Sequence, residues 1–469
     1  MIGTLFANEW RSLLRDGRGL TILLTAIVLS LVATWTSTST DHRERAGQAE
    51  ATHSARHAWN EKGVDHPHSR AHYGDYVFRP SGPLSGLDPG LQSVTGRAIF
   101  TEAHRQNADV HRPQEDAASL LRFDRLDPST VLQLLVPLVL VLAGFATVAS
   151  ERESGRIRLL MIQGSNGRSL LFAKSLALWS LGAALCLIVV GVHAVLADQP
   201  DLTRTGAYLL LHLANCWVVA VLVTSASALL RRPGTAAGLL LFLWGCGAIV
   251  VPRIAAMTAN ALDPLPSRDA FESAMREDRE KGLDGHNPHD ERRKAMEQQI
   301  LDEYGVEKKE DLPLDLGGLM MQADEEYGNQ VWDKHFGALE ERFENQYSIA
   351  GAFSFVNPLQ ATDRLSMAIA GTGLSDHLAF LREVEFYRRG LVKKLNDEHA
   401  FGGARTGERG WKPEAEFYHG FESFEFTQPS LGEAVGDSKP DVFALLLWLF
   451  GSTGLLFVSA RKLDRGGLL

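Results

Sequence analysis

Three groups of side chains in this sequence have types and spacing suited to chemistry. His66, His68 and His72 fall close together, with Asp65 and Asp75 beside them. Imidazole nitrogens and carboxylate oxygens at such spacing are a donor set for a divalent transition metal. Pro67 in their midst marks a surface loop, where histidines need hold nothing. The second group, Pro137, His193 and His212, sits inside long uncharged apolar blocks. Polar groups in such blocks usually face a bundle interior or a pathway, and a proline bends the helix that carries it. Histidines this close to the block ends can equally reach interfacial water.

The third group is a short polar stretch between two apolar blocks. Glu151, Glu153, Gly155 and Arg156 lead into Leu159-Leu160-Met161-Ile162, and Gly164, Arg168 and Lys174 follow. A short helix showing Leu159, Leu160 and Met161 wants a hydrophobic groove on a partner, and flanking charges would fix its register there. The bland alternative is an amphipathic connector resting on lipid. Catalytic equipment is missing. The nearest approach to a phosphate-cradling loop, from Gly164 to Ser169, has Gly167-Arg168 and the wrong spacing. There is no His-Glu-x-x-His and no Gly-x-Ser-x-Gly, so metalloprotease and esterase chemistry lack their minimum parts. The chain is therefore expected not to be an enzyme and to hold no cofactor of its own.

The elements that position these groups are set by hydrophobicity that comes in blocks. A bilayer core about 30 Å thick needs about 20 apolar residues of helix. Six stretches without Asp, Glu, Lys or Arg come close to that: 20–36, 129–150, 175–197, 206–230, 233–252 and 442–460. The expected fold is an all-α polytopic membrane protein with six transmembrane helices. Residues 1–19 are expected to form an interfacial amphipathic helix, with Ile2, Leu5, Phe6, Trp10, Leu13 and Leu14 on one face and Arg11, Arg15 and Arg18 toward lipid headgroups. The first block reads as a retained anchor, because its charged lead is long and no clean cleavage site follows it.

Orientation follows from the short segments. The N-terminal arm, the loop 151–174, the turn at Arg231-Arg232 and the tail 461–469 carry 13 basic residues against five acidic ones, whereas the whole chain has a net charge of −10. Basic residues gather on the cytoplasmic side. Both termini are thus expected inside, with residues 37–128 and 253–441 outside. The three cysteines, Cys186, Cys216 and Cys246, all lie within apolar blocks, so no disulfide can staple the outer segments. Those segments must fold by burying apolar surface. One helical stripe runs through Leu319, Ala323, Tyr327, Val331, Phe336, Leu339, Phe343 and Tyr347. Another runs through Leu378, Leu381, Val384, Leu391 and Leu395, with Ser375 as the expected N-cap. A mainly helical outer domain built from both segments is the expectation.

The run Glu151-Arg152-Glu153-Ser154-Gly155-Arg156-Ile157-Arg158-Leu159-Leu160 resembles the inner loop of ABC-2 type permeases. There, an acid-rich stretch precedes a short coupling helix that sits in a cleft of the ATPase subunit. Arg156 stands where that family usually has Thr. The run 71–80 with Leu84 and Asp88-Pro89-Gly90, and 357–359 through 365–372 with Phe380, Glu385, Tyr387-Arg388 and Leu395-Asn396, resemble the branch of that family with two large outer insertions, with Gly373 where its pattern carries Asp. The resemblance implies a type V exporter-like bundle working as the permease of an ATP-binding cassette transporter. It implies that Glu151, Glu153, Gly155, Arg156, Leu159, Leu160, Met161, Gly164, Arg168 and Lys174 meet a separate ATPase subunit, which would hold the ATP and Mg. It further implies a second copy or a related permease, lipid around the bundle, the bacterial inner (cytoplasmic) membrane with a large periplasmic domain, export as the direction, and no nucleic acid. Two rival readings stay open. One is an ABC-type complex that works mechanically on a periplasmic partner without passing a substrate; the other is a membrane sensor.

Overall fold

The computed structural model describes residues 2–110, 126–408 and 410–466. Residues 111–125 of the first long polar segment, the last three of the tail and the side chain of Arg18 lie outside what is described.

Six helices are long and apolar enough to cross a membrane: Gly19–Glu61, Pro128–Glu153, Gly167–Leu196, Leu202–Leu229, Pro233–Leu262 and Lys439–Arg465. The chain is thus an all-α membrane protein in its main architecture. The amphipathic arm forms α1 (Ile2–Arg15). The first span forms α2 (Gly17–Glu61) and does not end at residue 36 as its apolar block does. It continues as one helix because residues 37–61 hold no proline and one glycine, Gly47, among Ala, Arg, Glu and Gln, all good helix formers. The Arg45–Asp41 pair at 2.7 Å adds support one turn apart.

The second span begins as α4 (128–144), continues through a turn and ends in α5 (Ala149–Glu153). A connector, α6 (Arg156–Ile162), leads to α7 (Gly167–Leu196) and α8 (Leu202–Leu229). These last two form the centre of the bundle, with Leu185, Val189, Tyr208 and Ala220 fully buried. Small residues let the helices close up. A Cβ on Gly144 would lie 2.5 Å from both Leu178 and Val223, and one on Gly182 would lie 2.9 Å from the sulfur of Cys216.

Two spans carry a π-turn followed by proline. Val131–Leu135 precedes Pro137 in α4, and Cys246–Val250 precedes Pro252 in α9 (Pro233–Leu262). Proline supplies no N–H to the helix ladder, so carbonyls upstream need other donors. Trp244 Nε1 donates to Leu134 O at 3.1 Å, and Asn357 Nδ2 donates to Gly247 O at 2.8 Å. The widened turns thereby become joints between neighbouring elements.

Both long polar segments pack into one domain at the same end of the bundle. The first contributes α3 (Pro67–Tyr73) and an antiparallel pair, β1 (Asp75–Phe78) and β2 (Ala98–Thr101), in the register Asp75 to Thr101 and Phe78 to Ala98. The second contributes α10 (Arg268–Lys281), α11 (His289–Tyr304), α12 (Leu316–Gly351), α13 (Pro358–Ala370), α14 (Leu374–Phe401), α15 (Ala415–His419) and α16 (Leu431–Asp437). The chain then enters the last span, α17 (Lys439–Gly466). Trp59, Ala71 and Ala103 of the first segment share a core with Leu391, Leu395, Tyr418 and Phe421 of the second. The α14 stripe faces inward, with Leu378, Val384, Leu391 and Leu395 buried, whereas in the α12 stripe Val331 is buried and the other seven residues are half-buried. The N-cap of α14 is Gly373 rather than Ser375. Asp376 is the reason: its carboxylate accepts the Gly373 N–H at 3.2 Å and starts the helix two residues earlier.

The turns of the two segments meet backbone to backbone. Leu84 N donates to Ala370 O at 3.2 Å, and Leu91 N donates to Thr372 O at 3.0 Å. Gly82 and Gly90 make this approach possible, since a Cβ on Gly90 would lie 2.4 Å from the Thr372 hydroxyl. The domain is also tied to the last span. Arg364 of α13 reaches Asp441 of α17 with Nε 3.0 Å from both carboxylate oxygens, and Ser354 donates to the same group at 2.6 Å.

Candidate functional site

At the opposite end of the bundle, α5 and α6 form a compact step between two spans. Ser227 Oγ accepts from the N–H groups of Val148 and Ala149 at 3.0 and 3.1 Å, which restarts the helix as α5. Arg152 donates to Ala228 O at 2.7 Å and Leu230 O at 3.3 Å, satisfying carbonyls at the C-terminal end of α8. Gly155 lies at φ +73, the left-handed region that only glycine visits freely, and this sends the chain into α6. After α6, the Asn166 side chain accepts from Ser169 N at 2.8 Å and opens α7. Gly167 lies against α17, its N–H donating to Asp464 at 2.6 Å.

An ion network underlies this step. Lys174 is 1% exposed, with Nζ 2.5 Å from Glu9 Oε1 and 3.1 Å from Glu151 Oε2. A buried ammonium needs such partners. The ATPase-facing role expected of Lys174 is therefore not available to it; it sits inside and holds α1, α5 and α7 together. Glu9 was not a candidate in the sequence, although an acid in an otherwise basic arm was a usable signal.

The faces of α6 differ from the expected set. Ile157 is buried, and Leu160 and Met161 pack half-buried against Leu170, Leu171, Leu456 and Leu463. The apolar residues that project are Leu159 and Ile162, 61% and 73% exposed. Residues three apart share a helix face, so these two form a single knob. Glu153, Gly155, Arg156, Gly164 and Arg168 are exposed around it. The arrangement offers a polar-rimmed apolar projection and no reactive group.

The second group does not assemble. Pro137 is buried beside its π-turn. His193 is buried at the far end of α7, where Nδ1 lies 3.1 Å from the Thr38 hydroxyl and Gly86 packs on the ring. His212 is buried in α8 with Nδ1 2.9 Å from Tyr208 O, and its Nε2 has no hydrogen-bond partner among the described residues. His193 works as a structural joint between a span and the polar domain.

The histidine cluster forms, with one member changed. His66 turns away: its Nδ1 accepts from His68 N at 3.2 Å as the N-cap of α3, and its ring meets His399 edge to face at 4.3 Å. His104 takes the third place. The rings of His68, His72 and His104 converge, and one nitrogen of each lies within 4.8 Å of the others. His68 is half-buried, and burial with four neighbouring imidazoles lowers its pKa to about 4, so it is neutral at physiological pH. Sequence spacing gave no hint of His104, because the β1–β2 hairpin carries it back to α3.

No curated protein matches the chain. Residues 268–427, from α10 past α15, match a family model described as a domain of unknown function (DUF3526).

Proposed function

We propose that the chain is the membrane-spanning permease subunit of an ATP-binding cassette transporter of the bacterial inner membrane. The reading assigns the polar domain to the periplasm and both termini to the cytoplasm. The observation that carries it is α6, a seven-residue helix at the basic end of the bundle whose Leu159 and Ile162 project into solvent. An apolar knob rimmed by charge suits a groove on a partner protein, and burying each side chain contributes about 1.5–3 kcal/mol before the costs of association. In this reading a separate ATPase receives α6, and its ATP-driven closure pushes the helix. Ile157 and the Lys174 network pass the displacement to α1, α5 and α7. A second copy or a related permease completes the transporter, with export as the direction.

The test is a pull-down with a co-expressed ABC ATPase subunit from the same genome. Replacing Leu159 and Ile162 together by Asp puts two charges where an apolar groove is expected. Membrane insertion should persist and ATPase recovery should fall at matched expression. Equal recovery with wild type and variant would remove the docking role of α6. A connector lying on lipid predicts that result.

A further inference from the structure

His68 and His72 lie one turn apart on α3, so their rings share a face, with centroids 4.6 Å apart. His104 arrives from the segment after β2, its ring 5.1 Å from His72 and 5.8 Å from His68. Its backbone is unusual. At φ +64 it is the sole non-glycine residue in the left-handed region among those described. Such a conformation persists where the surroundings over-determine it, and it clusters at ligand sites. Here the determinant is Glu325 of α12, whose Oε1 lies 2.6 Å from both the backbone N and Nδ1 of His104.

That contact has a chemical consequence. A carboxylate oxygen 2.6 Å from Nδ1 favours the proton on that nitrogen, which would leave the Nε2 lone pair free. A carboxylate behind a histidine is the usual second layer of a metal site, where it orients the ring and strengthens it as a ligand. Glu325 is itself fixed, because Oε2 lies 3.3 Å from the buried guanidinium of Arg388, which also meets Glu385 at 2.7 Å. Among the described residues no hydrogen bond joins the three rings to one another. Three imidazoles whose nitrogens converge without bonding each other are free to share a cation.

We propose that His68, His72 and His104 form a three-imidazole site for a divalent transition metal of the zinc class, with Glu325 setting the tautomer of His104 and a fourth position open to solvent. Imidazole donors suit zinc, copper and nickel, and metal–nitrogen bonds near 2.0–2.1 Å draw the nitrogens of a tetrahedral site to within about 3.4 Å. From separations of up to 4.8 Å the nitrogens must close by as much as about 1.4 Å, and His72 is exposed. The open position lies on its side and takes water or an exogenous donor. Binding would join α3, the β-hairpin and α12 into one unit. The inference stands on these residues alone and is independent of the transporter reading.

The test uses metal-free, full-length protein in detergent, titrated with zinc chloride and separately with cobalt(II). Wild type should bind one equivalent of zinc tightly, show the intense visible absorption of tetrahedral cobalt, and melt at higher temperature with zinc than without. His72→Ala changes an exposed side chain, so the fold should survive. It should weaken zinc on the order of 100-fold and abolish the cobalt band. Glu325→Gln should weaken zinc by about 10–100-fold. The double variant His53→Ala and His57→Ala removes the exposed pair on α2 and should leave the tight equivalent intact. Absence of a stoichiometric zinc site in wild type, or equal binding by wild type and His72→Ala, would overturn the assignment.

Discussion

Lys174 and Glu9 meet inside the protein, ammonium to carboxylate at 2.5 Å, although one belongs to a span and the other to the N-terminal arm. The same ammonium lies 3.1 Å from Glu151 of α5, just before the connector. One buried cation thus joins the arm, α5 and the third span. It fixes α1 against the bundle more firmly than lipid contact alone could.

Lys174→Met should therefore destabilise the protein well beyond a surface charge change. It leaves two carboxylates partly buried without their cation, a loss on the order of 3 kcal/mol. The readout is the midpoint of thermal unfolding in detergent. Glu9→Gln should cost less, because Lys174 keeps Glu151. Equal midpoints for wild type and Lys174→Met would show that the network contributes nothing.

Two glycine substitutions should separate crowding from conformation. Gly90 lies at φ +46 with the Thr372 hydroxyl 2.4 Å from any added Cβ, so Gly90→Ala must push the two polar segments apart. Overpacking of this kind costs about 1–3 kcal/mol, and the left-handed backbone adds more. Limited proteolysis should open the polar domain. Gly155 lies at φ +73 with nothing near, so Gly155→Ala carries only the conformational cost, about 1–2 kcal/mol. Proteolysis of the polar domain should be unchanged in that variant, and equal cleavage in both would contradict the close approach.

Asp88 predicts a pH dependence. Burial, with the like charge of Asp363 behind it, raises its pKa from 3.8 to about 7, opposed by the hydrogen bond from Ser366. The folded state then holds a proton that the unfolded state releases between those values. This contribution to stability is complete below pH 4 and is lost as pH rises toward 7. In Asp88→Asn the loss should vanish, so its melting temperature should gain on wild type steadily from pH 4 to 7. Parallel profiles would show that Asp88 ionises normally.

Topology can be read with single cysteines in a background lacking Cys186, Cys216 and Cys246. Ala46 and Gly390 are exposed in the polar domain, and Ser154 is exposed at the connector. An impermeant thiol reagent applied to cells with a permeabilised outer membrane should label Ala46→Cys and Gly390→Cys and spare Ser154→Cys until lysis. The reverse pattern would invert the orientation.

The sequence showed the spans plainly because lipid offers no partner for a charge, so each crossing must read as an uncharged block. The stripe of α14 was legible too, since buried faces repeat with the helix, while that of α12 marks a face of which only Val331 is fully buried. Three features were not. The extension of α2 past residue 36 is set by helix propensity in a polar stretch, where hydropathy is silent. The β1–β2 pair spans only four residues per strand and depends on contacts with α14. His104 and Glu325 lie far apart in sequence, and only the folded hairpin brings them together.

The unbroken course of α2 has a mechanical meaning. A helix of 45 residues is a rod about 68 Å long, with one end beside the amphipathic arm. Its other end is clamped, Trp59 packing edge-on to Phe421 at 5.7 Å and lying under the Arg70 guanidinium. As one continuous helix it could serve as a lever: a tilt of about 10° about its Gly17 end would sweep Trp59 through roughly 11 Å. A small rocking of the first span would be amplified in the polar domain with no intermediate parts.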